Sequence, residues 1–142
     1  MIRITPSAYE IITQDAIHSF PYECCGFLYG TENGDRIITD ALVANNSKEG
    51  DKRKRFEISA KDYLHAERYA EEKGLNLLGV YHSHPNHPAI PSEHDRVAAQ
   101  PYFSYIIISI YDELIDHLRS WRLNESFQFD EETVSEFETI KQ

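Results

Sequence analysis

The chain has 142 residues, of which 41% are hydrophobic and 27% charged, and its formal net charge is −10. That length supports one domain with a real core and is too short for two ordinary ones. The acidic balance speaks against general nucleic-acid binding, which needs a basic surface, and no run approaches the roughly 18 apolar residues of a membrane span.

The N-terminus, Met1-Ile2-Arg3-Ile4-Thr5-Pro6, lacks the apolar stretch and small-residue cleavage site of a signal peptide, so a cytoplasmic location is expected. Ile2 to Ile4 can form a short strand. Thr5 suits an N-cap and Pro6 the first helical position, and Ala8, Ile11, Ile12 and Ala16 recur at helical spacing to about Ser19, before Pro21. Cys24 to Tyr29 reads as a buried strand in which Gly26 leaves room for close backbone approach. Cys24 and Cys25 are the only cysteines; adjacent thiols pair poorly with each other, so both are expected reduced and buried.

Asn33-Gly34 is a hairpin signal and Arg36 to Ala44 the returning strand. A polar loop follows, in which Lys48, Lys52, Arg53, Lys54 and Arg55 fall within eight positions. Such a run is ordinarily a solvated loop, and it is also a place where an acidic partner could dock. Arg55 to Ile58 is expected as a short strand. Ser59 and Asp62 open a helix that Gly74 closes. Leu77–Ser83, Phe103–Ile110 and Ile115–Leu123 read as further strands, the middle one central because it is almost continuously apolar or β-branched. Phe127 to Val134 is expected as an acidic edge strand. The pattern is α/β: a single domain with a mixed β-sheet flanked by helices, its core at about residues 2–123 and an acidic tail at 124–142.

The chemistry gathers at Tyr81-His82-Ser83-His84-Pro85 and Ser92-Glu93-His94-Asp95. Residues two apart in a strand face the same way, so His82 and His84 project together. Metal binding and exposure at a strand end explain the pair about equally well. Ser92 and Asp95, taken alone, read best as a helix capping box. Two imidazoles and one carboxylate nonetheless make a common three-ligand zinc set with a fourth position open.

At fixed spacing these residues resemble a family signature. His82-Ser83-His84, then seven residues, Ser92, two residues and Asp95 is similar to the motif of the JAMM (MPN+) zinc metalloproteases. Glu23 in Glu23-Cys24-Cys25-Gly26 resembles the glutamate that family carries on an upstream strand, and the likeness runs from about Pro21 to Leu123. The resemblance implies an MPN/JAMM fold, loosely akin to cytidine deaminases, over 1–142. It implies one Zn²⁺ per chain held by His82, His84 and Asp95. Glu23 would act as general base and acid, and Ser92 would bind the oxyanion. His87 and His94 match no fixed position of the motif; His94 is expected to be exposed.

The short intervals from Ile58 to Tyr81 and from Asp95 to Arg122 leave no room for a long second insertion, so the chain resembles the compact prokaryotic members. The substrate this implies is the Gly-Gly tail of a ubiquitin-like or sulfur-carrier protein; from its charge, the run Lys52, Arg53, Lys54 and Arg55 is where an acidic carrier is expected to dock. A catalytically silent scaffold of the same fold and a zinc peptidase acting on small peptides are the alternatives. A nucleobase deaminase would need a Pro-Cys-x-x-Cys element, which Cys24-Cys25 cannot supply.

Overall fold

A computed structural model describes residues 1–48, 50–53 and 55–136. The first strand, β1 (Ile2–Ile4), leads into α1 (Pro6–Ser19), where the Thr5 hydroxyl accepts the Ala8 amide and Pro6 occupies the first turn. Small and branched residues at i, i+4 and i+8, namely Ala8, Ile12 and Ala16, are fully buried. They let α1 lie close on a core built from Ile2, Ile4, Leu28, Ile38, Leu78, Tyr81, Ile106, Ile108 and Ile110.

The antiparallel pair β2 (Cys25–Asn33) and β3 (Asp35–Ala44) turns at Gly34, whose φ of 86° is left-handed and suits glycine. A Cβ on Gly26 would collide with the Tyr81 ring and the Leu42 carbonyl, so the expected close approach is present. Next comes α2 (Ala60–Lys73), capped by Ser59 through the Asp62 amide and closed by left-handed Gly74. It lays Ala66 and Ala70 against Phe27, Tyr29, Val80 and Tyr105 on the other face of the sheet. The expected strand at Arg55–Ile58 does not form. That segment runs as a loop whose Glu57 amide and Arg55 carbonyl are taken up by the Asn46 side chain rather than by a neighbouring strand.

The remaining elements are β4 (Asn76–Pro85), α3 (Glu93–Ala98), β5 (Ser104–Tyr111), β6 (Leu114–Leu123), β7 (Phe129–Glu132) and β8 (Val134–Glu136). The sheet order is β7-β6-β5-β4-β2-β3-β1-β8, with β4–β5, β1–β3 and β1–β8 parallel. This is the expected mixed sheet with a helix on each face.

One strand was expected at Phe127–Val134; two short ones form, and they occupy opposite ends of the order although only Thr133 separates them. A single residue spans about 3.3 Å, so the sheet must curl until its two ends meet. The Ile2 amide donates to the Thr133 carbonyl at 3.0 Å at that seam. Val134 packs on the core that holds α1. The two end strands are only 4 and 3 residues long, and short edge strands offer little to a stray pairing partner.

Arg36, 1% exposed, ties β3 to the start of β4 and to β5. Its Nη1 donates to the Leu78 carbonyl and the Ser104 hydroxyl, its Nε pairs with Glu32, and its guanidinium lies 4.3 Å from the Tyr102 ring centroid. Charge read along the sequence gives no hint of this burial. Among the described residues no helix is long and apolar enough to cross a membrane.

Candidate active site

The strand β4 is buried between β2 and β5, with His82 opposite Cys25 and Ile107, and His84 beside Ser109. Its pairing with β2 shifts by one residue between Leu28↔Gly79 and Tyr29↔Leu77, leaving Leu78 as the extra residue. The shift sends Leu78 and Tyr81 into the α1 core and Val80 toward the α2 side, where His82 and His84 share its face. The segment from Pro85 to Pro91 then returns the chain to Ser92, which starts α3.

Asp95 is aimed by the capping box itself. The Ser92 hydroxyl accepts the Asp95 amide at 3.0 Å, and the Ser92 amide donates to Asp95 Oδ2 at 2.9 Å. The same Oδ2 lies 3.2 Å from His84 Nε2 and 3.3 Å from His82 Nε2, and the two ring nitrogens are 3.2 Å apart. Capping and site-building are therefore one arrangement. His84 Nδ1 lies 2.8 Å from the Pro88 carbonyl, which can only accept, so Nδ1 carries the proton and Nε2 of the neutral ring is bare.

His82 Nδ1 is buried with no hydrogen-bond partner among the described residues, so no neighbour sets that ring's tautomer; the three atoms form a nearly equilateral triangle, and either a proton or a cation has to stand between them. Bonds of 2.0–2.1 Å in a tetrahedral zinc site place ligand atoms about 3.3–3.4 Å apart. The donor set fits that ion in both chemistry and spacing. Burial lowers the His82 pKa, which favours the neutral, ligating form. Burial works to raise that of Asp95, but the imidazole neighbours and the Ser92 amide outweigh it and hold the carboxyl well below the usual range.

Glu23 is 3% exposed, and its Oε1 has no hydrogen-bond partner among the described residues. It lies in the turn before β2, held on both sides. Its amide donates to the Lys52 carbonyl and its carbonyl accepts from Asn46. The following residue is clamped to the histidine strand: the Cys24 amide donates to the Ser83 hydroxyl at 2.9 Å, and the Ser83 amide to the Cys24 carbonyl at 3.2 Å. Facing away from both histidines, Ser83 fixes Glu23 beside them. A carboxylate oxygen of Glu23 and ring nitrogens of His84 and His87 lie within 4.8 Å of one another. Burial, with a smaller contribution from the Asp95 charge, pushes the Glu23 pKa up to about 9.

Sequence reasoning assigned nothing to Ser83 or Asn46. Asn46 uses its amide fully, donating to the Glu23 and Arg55 carbonyls and accepting from the Lys48 and Glu57 amides. It thereby fixes the loop whose Phe56 ring stacks 4.3 Å from His82. The available signal was an asparagine at a strand end before a polar run, which marks an Asx-type turn. His94, expected to be exposed, is half-buried and lines a cavity of about 190 Å³ with Phe56, Tyr63, His82, Asp95 and Phe129.

Cys24 and Cys25 are buried free thiols, and burial pushes the Cys25 pKa up to about 12. Of the basic positions, Lys52, Arg53 and Arg55 are exposed, and Arg53 pairs with Asp51; Lys54 lies outside the described residues. Lys52 borders an open groove that Glu23, Tyr22 and His18 also line.

The sequence matches the family described as prokaryotic homologs of the JAB domain over residues 5–124. It is similar to the Desampylase of Pyrococcus furiosus, at 33% identity over 65% of this chain and 62% of that protein. A second relative is the "Probable TtuB-protein conjugate cleaving protease" of Thermus thermophilus, 46% identical over 31% of this chain and 30% of that one. The chain thus matches less than two thirds of the length of these curated relatives. The solved structure of protein DSY2949 from Desulfitobacterium hafniense superposes with a TM-score of 0.86 at 30% identity, covering 99% of this chain and 96% of that one. A family match over most of the chain, joined to the likeness of fold, makes this protein a member of the prokaryotic JAB-domain family, the compact branch of the JAMM/MPN group.

Proposed function

We propose that the protein is a zinc-dependent peptidase or isopeptidase that hydrolyses the amide after the Gly-Gly tail of a ubiquitin-like or sulfur-carrier protein, as a cytoplasmic enzyme. The observation that carries this reading is the 3.2–3.3 Å triangle of His82, His84 and Asp95 donors with the buried Glu23 carboxyl beside it, whose Oε1 has no partner among the described residues. The names of the Pyrococcus and Thermus relatives support the substrate class.

His82, His84 and Asp95 would hold one Zn²⁺. Bound there, zinc would supply Lewis acidity, making a water more acidic and polarising the amide carbonyl. Glu23 would take the proton of the attacking water and hand it to the leaving amine. A carboxyl that holds its proton up to about 9 is a competent acid, and positive charge at the triad would draw its pKa back toward the range a base needs. The Ser92 hydroxyl accepts from the Asp95 amide, so its own hydrogen is free to donate to the developing oxyanion. Phe56 and the apolar walls of the adjoining cavity would exclude water from the site. Glycines without side chains suit an extended tail lying close to the triad. Lys52, Arg53, Lys54 and Arg55 would dock an acidic carrier.

The test incubates zinc-loaded protein with a carrier bearing a C-terminal peptide or lysine adduct after its glycines, read by mass spectrometry. Trimming back to the glycines is expected, with loss of activity in chelator-treated protein and in Glu23→Gln. Zinc-dependent trimming of short peptides alone would refute the carrier assignment. Full activity of Glu23→Gln would refute the mechanism.

A further inference from the structure

The segment from Pro85 to Pro91 carries three prolines and a left-handed Asn86 (φ 66°), and after the Asn86 amide donates to the Ile110 carbonyl it leaves the strand ladder. Ala89 in its middle is nevertheless fully buried, and buried peptide groups need partners. Side chains of β6 supply them. The Ala89 amide donates to His117 Nε2 at 3.1 Å, and its carbonyl accepts from the Trp121 indole at 3.0 Å. On β5, the Ser109 hydroxyl donates to the His87 carbonyl.

The Ala89 N–H and the Pro88 carbonyl belong to one planar peptide unit. His117 grips one end of that plane, and His84 Nδ1 is bound to the other at 2.8 Å. Beyond His117, its Nδ1 lies 2.6 Å from Asp116 Oδ2. Because the Ala89 amide can only donate, His117 Nε2 is a bare acceptor and the ring proton sits on Nδ1, toward Asp116. Every donor in the row therefore points the same way: His84 N–H to the Pro88 carbonyl, Ala89 N–H to His117, His117 N–H to the Asp116 carboxylate. Aligned hydrogen bonds polarise one another, and an anion at the far end raises electron density at His84 Nε2, the triad atom. The partner of a ligating imidazole sets its tautomer, orientation and basicity.

We propose that His117, backed by Asp116 and assisted by Trp121, is a positioning residue for His84, acting through the Pro88–Ala89 peptide. The inference rests on the metal-site reading above. None of the three residues touches the triad.

The test measures zinc affinity by chelator competition in the full chain. His117→Leu is expected to bind about 10-fold more weakly. His117→Gln, whose side-chain oxygen can accept the Ala89 amide, is expected to recover most of that loss. Asp95→Asn serves as the reference for a lost ligand. Nitrogen NMR of metal-free wild-type protein near neutral pH is expected to show the His117 proton on Nδ1, and the Ala89 amide should exchange at least about 10-fold faster in His117→Leu than in wild type.

A proton found on Nε2 would overturn the inference. So would zinc bound equally tightly by wild type and His117→Leu while Asp95→Asn is weakened, an outcome that leaves the metal-site reading intact. Wild-type protein that binds no zinc would refute that reading instead, and the tautomer and exchange measurements would still decide the positioning of the Pro88–Ala89 peptide.

Discussion

Glu23 offers a measurement in which the role proposed for it and the stability of the fold pull in opposite directions. In the unfolded chain its carboxyl releases a proton near the ordinary value of 4.5; in the folded, metal-free protein burial and the Asp95 charge hold that proton to about 9. Between those values the native state binds one proton more than the unfolded state. Its contribution to stability is therefore complete below 4.5 and is lost as the pH rises through 9.

The slope from this one group is about 1.4 kcal/mol per pH unit, so raising the pH from 5.5 to 8.5 removes about 4 kcal/mol. That is a large share of the roughly 5–15 kcal/mol that stabilises an ordinary domain. Glutamine keeps the shape of the side chain and cannot ionise. Urea denaturation of chelator-treated wild type and Glu23→Gln across that range should show the variant gaining on wild type steadily with pH, while carrier cleavage by the zinc-loaded variant is lost. Parallel curves for the two proteins would refute the claim that Glu23 is held as a buried neutral acid.

Ser83→Ala should remove the acceptor of the buried Cys24 amide and cost about 1–3 kcal/mol in denaturant melts. Because that amide adjoins Glu23, kcat should fall more than KM rises in steady-state assays. Replacing Lys52, Arg53 and Arg55 with glutamine should leave stability within about 0.5 kcal/mol, since all three are exposed. It should also lower kcat/KM for an acidic carrier and flatten its dependence on salt; unchanged salt dependence would refute docking at this loop.

Much of the site was legible because it is local. Two histidines at alternate positions of an apolar run, and a serine three residues before an aspartate, are patterns that strand and helix geometry alone turn into directions. The helix limits at Thr5, Pro6, Ser59 and Gly74 were legible for the same reason, since caps are written in the residues that form them. The failures were non-local. Arg55–Ile58 reads as a strand by composition, but its partners are the Asn46 side chain and the amide and hydroxyl of Ser47, nine to eleven positions away. Phe127–Val134 reads as one edge strand, yet the curl of the sheet splits it at Thr133 and gives each half a different neighbour.

The identities of the candidate ligands, their spacing along the chain, the cap that aims Asp95 and the α/β alternation are readable in linear order, because each depends on residues within a few turns or one strand of each other. That Glu23 is a buried carboxyl whose Oε1 meets no hydrogen-bond partner among the described residues, that Ser83 clamps the adjoining Cys24 to the histidine strand and that His117 reaches Ala89 from β6 depend instead on how distant segments come together. Burial and long-range hydrogen bonds are set by which surfaces the whole sheet brings together, and no window of the sequence contains that information.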